Sequence, residues 1–239
     1  MYLNKCIAHS GICSRRRAGD FIAAGRVSVN GSVITFPYYV VQDHDTILVD
    51  GKKVRIEHNV YILLNKPKNC ITTVSDEKSR RTVIDLIDSS INKRIYPVGR
   101  LDRDTTGVLL LTNDGELAQQ LAHPKYQVQK IYAAVLNKPL ENKDLIKIRQ
   151  GVYLSDGPVK VDSIESISGA ISHSHIRIKI HSGRYRVIRR LFEHLGYRVL
   201  DLERIAFAGL SLTNLPRGHY RMLQAAEVKK LKRPAHFTT

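Results

Sequence analysis

The chain has 239 residues, of which 43% are hydrophobic and 25% are charged, and it carries a formal net charge of +16 at pH 7. This composition supports one large or two small folded domains and argues against intrinsic disorder. No apolar run approaches the roughly 20 residues that cross a bilayer, and the first residues lack the apolar segment of a signal peptide. We therefore expect a cytoplasmic protein with no membrane partner.

The excess of positive charge indicates a polyanionic partner. The chain contains 38 Lys and Arg against 22 Asp and Glu, an imbalance typical of proteins that bind nucleic acid or an acidic surface. The charge is uneven, because residues 181–239 hold 12 basic and 4 acidic side chains, which is half of the net charge. A soluble basic protein without such a partner stays open at this level.

The cysteines argue against a disulfide framework and against zinc. There are three of them, Cys6, Cys13 and Cys70, and none belongs to a C-x-x-C pair or has histidines at zinc-finger spacing. We therefore predict no metal site, and we expect Cys6 and Cys13 to be small core residues.

The first 50 residues have the pattern of a small α/β unit. A short helix is predicted to end at Gly11, and Ser14 is a suitable N-cap for a second, arginine-rich helix. Around Asn30-Gly31 the chain alternates apolar and polar residues, which predicts a β-hairpin, and Thr46–Asp50 predicts a further strand.

This segment resembles the S-four type of RNA-binding domain. The resemblance rests on the sequence LNKCIAHSGICSRRRAGDFIAAGRVSVNG, with its SRR at a helix start and its GRVSVNG hairpin. The arginines at the helix start either form a solvated face or contact phosphate, and the resemblance implies contact with RNA. The RNA contacts predicted in this domain are Arg15, Arg16, Arg17 and Arg26.

The remaining chain alternates strands and helices in a way typical of an α+β domain. Asp50–Asn59 is polar and charged and is predicted to be a linker. An apolar strand ends at Lys66-Pro67, and a second β run follows it. Further strands are predicted at QKIYAAVLNKP, IRQGVYLSDGPVKVDSIESIS, SHIRIKIHSG and YRVLDLERIAFAGLSL. Helices are predicted at RRTVIDLI, GELAQQLAHP and RYRVIRRLFEHLG. We predict a large, mostly antiparallel sheet with flanking helices.

The stretch GRLDRDTTGVLLLTNDG, residues 99–115, places two acids beside arginines in a basic chain. Asp102 can be a turn or cap residue, an ion-pair partner of Arg100 or Arg103, or a catalytic carboxylate. A carboxylate among arginines stays ionised, because opposite charge favours the charged form, and such a group can be a nucleophile. The residues alone leave the three roles open.

Together with LLNKPKNCITTV upstream and SGRYRVIRRLFEHLGY and LPRGHYRML downstream, this stretch resembles the RNA pseudouridine synthases. The resemblance is to the branch that modifies specific uridines of small- or large-subunit ribosomal RNA, and it extends from Tyr2 to about Glu227. It implies that uridine is isomerised by detaching the base and rejoining it through carbon 5, with no cofactor and no metal. Large-subunit (23S) rRNA is the favoured substrate, because GELAQQLAHP and RRLFEHLGY look closer to that group.

The resemblance also implies roles for individual residues. Asp102 is the nucleophile, acting at the anomeric carbon or on a ribose proton, and Arg100 enters the RNA helix as the target base flips out. Tyr132 stacks on the flipped uracil, and Arg189 pairs with Asp102 and holds it oriented. Asp104 has no matching role and is assigned a structural or electrostatic one. Further RNA contacts are predicted at Lys66, Arg184, Arg186 and Arg190.

Two details of the motifs lead to specific structural predictions, one for Asn69 and one for the helix in RYRVIRRLFEHLG. Asn69 stands where the family usually has glycine, and because Asn tolerates left-handed backbone we expect little effect. The helix in RYRVIRRLFEHLG is predicted to have one apolar face, opposite a polar stripe that contains Arg189. That face consists of Val187, Ile188, Leu191 and Leu195.

The predicted organisation is an RNA-binding domain at 1–49, a linker at 50–59, a catalytic domain at 60–228 and a basic tail at 229–239. The predicted partner is ribosomal RNA, with one target uridine in a structured stem-loop; a pre-ribosomal particle is a further candidate, and we expect a monomer. The alternative hypothesis is a catalytically silent RNA-binding or ribosome-assembly factor on the same fold. A membrane-surface binder has little support, since no helix combines basic residues with bulky apolar anchors.

Overall fold

In the computed structural model, which describes residues 1–167 and 174–233, the chain begins with helices α1 (Leu3–His9) and α2 (Arg15–Ala23). The hydroxyl of Ser14 accepts a hydrogen bond from the backbone N–H of Arg17 at 3.2 Å, which confirms the predicted N-cap. Ala18 and other small or aliphatic residues of the two helices are buried against the strands that follow. The first 50 residues therefore form a helical layer over a small sheet.

That sheet has four antiparallel strands in the order β2-β1-β3-β4. Asn30 and Gly31 both have positive φ, 52° and 85°, as the two central residues of a tight hairpin require. The strands are β1 (Val27–Val29), β2 (Ser32–Val33), β3 (Ile47–Val49) and β4 (Lys52–Lys53). The predicted hairpin and strand are confirmed, and β4 lies inside the segment that was predicted to be a linker.

The backbone divides into two compact units. The first consists of Met1–Val60 with residues 89–95 and 113–115, and the second contains the rest of the described chain. Residues 234–239 of the predicted basic tail lie outside the described residues. The predicted domain limits stay predictions. Within the described ranges, no helix is long and apolar enough to cross a membrane.

The second unit is built on a sheet of nine strands. Its main order is β11-β12-β8-β13-β7-β5-β15, with β14 paired to β13 and β6 paired to β7, while β9 and β10 form a separate hairpin. Only the pairing of β13 with β7 is parallel among the described strands, so the prediction of a mostly antiparallel sheet is confirmed. The strands are β5 (Tyr61–Lys66), β6 (Tyr96–Pro97), β7 (Thr106–Thr112), β8 (Lys130–Leu136), β9 (Val152–Leu154), β10 (Gly157–Val159), β11 (Ser163–Ser166), β12 (His175–Ile180), β13 (Val199–Phe207), β14 (Leu210–Ser211) and β15 (Tyr220–Met222).

Helices flank this sheet as predicted, but one of them was missed. The segment ending at Gln150 is helical, although its last residues were predicted to begin a strand; Asp144 and Ile148, one turn apart, are both buried on the same helix face. The predicted helix at RRTVIDLI is a single 3₁₀ turn, Ile84–Leu86. The α-helices are α3 (Gly115–Ala122), α4 (Asn142–Gln150), α5 (Val187–His194) and α6 (Ala225–Leu231). Helix α6 therefore includes the first residues that were assigned to the tail.

Strand β7 lies at the centre of the sheet and explains the apolar run after the acidic stretch. All seven of its residues are buried, as expected for a strand covered on both faces. Val108 and Leu110 pack with Leu63 and with Leu121 of α3 in one continuous apolar cluster. Burial of each such aliphatic side chain stabilises the fold by about 1.5–3 kcal/mol. The loop before β7 is therefore attached to a rigid strand.

Gly107 in β7 provides a sharp test of this arrangement. Its φ is +105°, and a Cβ atom at this position would collide with the carbonyl oxygen of Arg204 on the neighbouring parallel strand. We expect Gly107→Ala to lower the free energy of unfolding by at least about 3 kcal/mol in urea titrations. Gly19→Ala is the control, since nothing lies within 4 Å of that position in helix α2 and alanine favours helix. Equal midpoints for the two variants would contradict the close approach of β7 and β13.

Candidate active site

The loop between β6 and β7 carries Asp102, and its backbone is fixed from two sides. The hydroxyl of Thr72 donates to the carbonyl oxygen of Leu101 at 2.8 Å, and the N–H of Leu101 donates back at 3.3 Å. The N–H of Thr105 donates to the carbonyl oxygen of Asp102 at 3.1 Å, which closes a turn. The carboxylate of Asp102 therefore projects from a constrained backbone.

Lys66 supplies the second constraint and is not an RNA contact, contrary to the sequence-based prediction. Its side chain is 0% exposed, so its ammonium group cannot reach a phosphate. The group donates to the carbonyl oxygens of Asp102 and Thr105 at 3.0 Å, of Arg103 at 3.2 Å and of Pro67 at 3.1 Å. Burial lowers the pKa of Lys66 to about 8, although the negative charges of Asp102 and Asp104 act in the opposite direction and raise it. Lys66 is thus a positioning residue for the loop.

Arg186 is the arginine that faces Asp102. Its guanidinium lies 3.9 Å from the Asp102 carboxylate, and the two side chains are 31% and 30% exposed. Arg186 is the N-cap of α5 and has a left-handed backbone with φ of 45°, an uncommon conformation that is found mainly at constrained sites. The pairing is open to solvent and loose, so both groups stay accessible to a substrate.

Arg189, which was predicted to pair with Asp102, points elsewhere. It is 8% exposed, and its guanidinium donates to the carbonyl oxygen of Val199 at 3.0 Å. The predicted polar stripe on α5 is therefore interrupted, because Arg189 turns into the protein while the apolar face of the helix is buried as expected. The helix was located correctly from the sequence, but the arginine that meets the acid is one turn earlier.

A cleft of about 220 Å³ lies beside this loop and brings several predicted residues together. Arg100, Asp102 and Tyr132 all line it, although they come from the loop before β7 and from β8. Arg100 is exposed, and Tyr132 is half-buried with one edge against the apolar cluster around α5. A flat ring, an accessible carboxylate and a free arginine therefore share one cavity.

The cleft also contains two cations that the sequence did not reveal, one half-buried and one buried. Lys130 donates to the carbonyl oxygens of Val128 and His181, both at 2.9 Å, and burial lowers its pKa to about 8. Arg204 is only 2% exposed, and burial lowers its pKa as well. Lys130 and Tyr132 are two residues apart on one strand, which places them on one face. That spacing was the only signal for Lys130 in the sequence, and nothing there marked Arg204.

The remaining predicted RNA contacts divide into engaged and free side chains. Arg184 and Arg190 both form ion pairs with Asp156, at 3.2 Å and 2.8 Å. Arg26 makes a bidentate pair with Asp50 and lies over an aromatic ring. In the N-terminal unit, the exposed side chains of Arg15 and Arg16 have no hydrogen-bond or ion-pair partner among the described residues, whereas Arg17 lies near the ring of Phe21.

Asn69 adopts the left-handed backbone that was expected of it, while the expectation that its departure from the family pattern has little effect stays a prediction. Its φ is 58°, in the left-handed region that asparagine tolerates. It follows Lys66-Pro67 in the turn after β5, so the turn forms without glycine and Lys66 keeps its place under the loop.

Comparison with known proteins agrees with this site. The model of a family described as RNA pseudouridylate synthase matches residues 60–194, and an S4 domain model matches residues 3–47. The chain is 44% identical over 234 residues to ribosomal large subunit pseudouridine synthase B of Bacillus subtilis (strain 168), covering 96% of this chain and 95% of the relative. A Pseudomonas aeruginosa protein of the same name is 37% identical over 233 residues, covering 95% of this chain and 60% of that relative.

A solved structure agrees with the sequence comparisons. A crystal structure of a pseudouridylate synthase superposes with a TM-score of 0.69 and 28% identity, covering 97% of this chain and 99% of the other. The matched family segment contains Lys66, Asp102, Tyr132 and Arg186, the residues around which the loop and the cleft are built. The chain therefore belongs to the RNA pseudouridylate synthase family and carries an S4 domain at its N-terminus.

Proposed function

We propose that the protein isomerises one specific uridine of large-subunit (23S) ribosomal RNA to pseudouridine, with Asp102 as the nucleophile. The observation that carries the proposal is the cleft that gathers Asp102, Arg100 and Tyr132. The relatives from Bacillus subtilis and Pseudomonas aeruginosa are both named for the large subunit, which supports the choice of RNA. Cytoplasmic location, a monomeric state and a pre-ribosomal particle as partner stay predictions.

The proposed reaction begins with extrusion of the target nucleotide, because a stacked base is out of reach of any side chain. Arg100 is exposed at the cleft and has the length and charge to occupy the gap left in the RNA helix. The ring of Tyr132 offers a flat surface for the uracil. Asp102 then acts on the ribose, either at the anomeric carbon or on a proton beside it.

Loop rigidity supports the role of Asp102. A nucleophile held close to its target avoids the entropic cost of finding it, and a displacement of about 1 Å can lower a rate about 100-fold. The carbonyl oxygens of Asp102, Arg103 and Thr105 all accept from one buried ammonium group, that of Lys66. Arg186 at 3.9 Å faces the carboxylate without blocking it.

The test of the proposal uses the purified full chain and two transcripts, 23S and 16S rRNA from the source organism. Carbodiimide treatment followed by primer extension locates pseudouridine at single-nucleotide resolution. We expect one new stop in 23S rRNA and none in 16S rRNA. A stop in 16S rRNA alone would move the target to the small subunit, and binding without any stop would favour the silent RNA-binding alternative.

Paired variants of α5 distinguish the two arginines. Arg186→Met is expected to lower the single-turnover rate about 10- to 100-fold with little change in stability, because it removes the cation at Asp102. Arg189→Met is expected mainly to lower the free energy of unfolding, by about 1–3 kcal/mol, because the carbonyl oxygen of Val199 loses its partner. The reverse pattern would mean that Arg189, as the family resemblance implies, reaches Asp102 in the RNA complex.

The free arginines of the N-terminal unit are expected to contact phosphate. The double variant Arg15→Ala/Arg16→Ala should reduce the slope of log Kd against log salt by about 1.4, at about 0.7 per lost contact with single-stranded RNA. Filter binding between 50 and 300 mM salt measures this slope. Arg177→Ala is the control, since that exposed arginine already pairs with Glu165 at 3.1 Å. An unchanged slope in the double variant would assign these two arginines to a solvated face.

A further inference from the structure

Arg204 is a buried cation without a matching anion. It is 2% exposed, and within residues 1–167 and 174–233 it forms no ion pair with a carboxylate. Its Nε donates to the carbonyl oxygen of Val108 at 2.8 Å, and its guanidinium lies 4.7 Å from the ring centre of Phe207. Its Nη2 has no hydrogen-bond partner. One end of the guanidinium is therefore anchored, and the other is left unsatisfied.

Such an arrangement is costly if it serves only the fold. Removing a guanidinium from water without an anion costs several kcal/mol. One carbonyl, one aromatic ring and the hydroxyl of Tyr132, which offsets part of the burial of Arg204, recover only part of that cost. An apolar side chain of similar volume would pack on β13 without this cost. The unsatisfied Nη2 therefore points to a ligand that completes its hydrogen bonding.

The geometry of the sheet directs Arg204 toward the cleft. Arg204 is the cross-strand partner of Tyr132 in the antiparallel pairing of β13 with β8, so the two side chains share one face of the sheet. Both line the cleft that contains Asp102. The register of the two strands shifts between Arg204 and Ala206, and such irregularities commonly redirect side chains beside active sites.

Lys130 reinforces the positive potential of this wall. It lines the same cleft, and its ammonium group is held by two backbone carbonyl oxygens; within the described part of the chain no carboxylate accepts from it. Arg100 and Arg186 also line the cleft but are more accessible. The cleft thus carries positive charge from Lys130 and Arg204 beside Tyr132.

We propose that Arg204 is the group that binds the detached uracil as an anion, through a hydrogen bond from Nη2 to a carbonyl oxygen of the base. This inference rests on the proposed isomerisation. When the C1′–N1 bond breaks, the bonding pair stays on N1, and the negative charge spreads to O2 and O4 of the ring. This holds whether Asp102 bonds to C1′ or the sugar loses a proton.

The same contact keeps the base in the cleft while it turns. Carbon 5 then supplies the electron pair for the new bond to C1′. At that step the Asp102–C1′ bond breaks, or, on the other route, the sugar takes back its proton. The proton of carbon 5 leaves and N1 takes up a proton, so that the net change is an isomerisation. Charge stabilisation by Arg204 is greatest at the point of bond cleavage, when the base is most anionic. The guanidinium is preorganised by Val108 and Phe207 and needs no rearrangement at that moment.

The experiment compares Arg204→Met, which removes the charge, with Arg204→Lys, which keeps it. Single-turnover conversion is followed by nuclease digestion and chromatography on two RNAs, one with uridine and one with 5-fluorouridine at the target. Fluorine stabilises the anion of the base, so cleavage depends less on the protein. Because carbon 5 of this base has no proton to lose, the rejoined base keeps its fluorine and takes up water at carbon 6, and conversion of this RNA is scored as disappearance of the 5-fluorouridine nucleoside. We expect Arg204→Met to lower the rate about 100-fold with uridine and less than about 10-fold with 5-fluorouridine, with unchanged RNA affinity. Arg204→Lys should recover part of the loss.

Stability separates this role from a structural one. Arg204→Met removes a buried charge that has no carboxylate partner among the described residues, but it also leaves the carbonyl oxygen of Val108 without its donor. Because these two effects oppose each other, we expect its thermal midpoint to lie close to that of the wild type. Arg221→Met, an arginine on β15 paired with Glu227 at 2.7 Å, is the control and should convert both RNAs at the wild-type rate. Equal rate losses on both RNAs, or a loss of RNA affinity, would overturn the inference.

Two further outcomes distinguish this inference from the function on which it rests. If the wild type converts uridine and Arg204→Met does so equally fast, the role of Arg204 is refuted while the isomerisation stands. If the wild type converts no ribosomal uridine, the proposed function fails and this inference fails with it.

Discussion

Replacing Asp102 with asparagine is expected to abolish isomerisation while leaving RNA binding intact. The amide keeps the shape of the side chain but removes the nucleophilic carboxylate, and we expect the single-turnover rate to fall by at least about 10⁴-fold. Stability should change little, because the carboxylate is 30% exposed and, among the residues that the structure describes, it pairs only with Arg186 at 3.9 Å. RNA affinity should be equal or slightly higher, since one negative charge near phosphates is lost.

Asp104→Asn is the matched control for this change. Asp104 lies two residues further along the same loop and is exposed, and its substitution should alter the rate by less than about 3-fold. Rates are measured in single turnover with excess enzyme, and affinities by filter binding. If Asp102→Asn still converts uridine at a rate within 100-fold of the wild-type rate, Asp102 is not the nucleophile.

Replacing Lys66 with methionine is expected to produce the second-largest effect, although Lys66 touches no substrate. The carbonyl oxygens of Asp102, Arg103 and Thr105 lose their common donor, and the nucleophile is no longer held in place. We expect the single-turnover rate to fall about 10²- to 10³-fold, with RNA affinity within about 3-fold. Lys68→Met is the control, because that lysine is half exposed and pairs with Asp201 at 2.9 Å. Similar rates for the two variants would contradict the positioning role.

The depressed pKa of Lys66 adds a dependence on pH with a defined sign. Its pKa falls from 10.5 in the unfolded chain to about 8 in the folded one, so between these values the unfolded state binds more protons. The contribution of Lys66 to stability therefore rises with pH across that interval. Urea titrations from pH 7 to 9.5 should show the free energy of unfolding of the wild type rising relative to that of Lys66→Met. A constant difference would contradict the shifted pKa.

Local signals in the sequence identified most of the fold. The N-cap at Ser14, the hairpin at Asn30-Gly31 and the helix at Val187–His194 each depend on neighbouring residues, and each was correctly predicted. Helix α4 was missed because its sequence, NKDLIKIRQ, is mostly polar and its few apolar residues lie close together instead of recurring at helical spacing. One of its two buried residues is the polar Asp144, so the buried face could not be recognised from hydrophobicity. The run after Lys66-Pro67 was predicted as a strand, but it forms only an isolated bridge between Ile71 and Thr82.

The sequence motifs identified the main residues of the candidate site, but they did not show which residues contact one another there. Asp102 and Tyr132 were correctly placed together, because the family resemblance carried both residues. Lys66 was predicted to contact RNA, but its side chain is buried. Its actual partners lie 36 to 39 residues along the chain, and such distant pairing leaves no local signal. The carbonyl partner of Arg204 is likewise 96 residues away.

The arginine that faces Asp102 could not be identified from the sequence either. Helical periodicity places Arg186, Arg189 and Arg190 on adjoining positions of α5, but it does not fix which of them meets Asp102. The left-handed backbone of Arg186 at the helix start turns that side chain toward the loop, while Arg189 is held by Val199. A positive φ at a non-glycine residue has no reliable signature in a single sequence.

The most direct test of the central claim is pseudouridine mapping of ribosomal RNA in three strains. One lacks the protein, one carries the wild type, and one carries Asp102→Asn at the same level. We predict that a single pseudouridine in 23S rRNA disappears without the protein and returns only with the wild type. If every ribosomal pseudouridine persists in the strain that lacks the protein, or if Asp102→Asn restores the missing one, the account of this chain as an aspartate-dependent ribosomal RNA pseudouridine synthase is wrong.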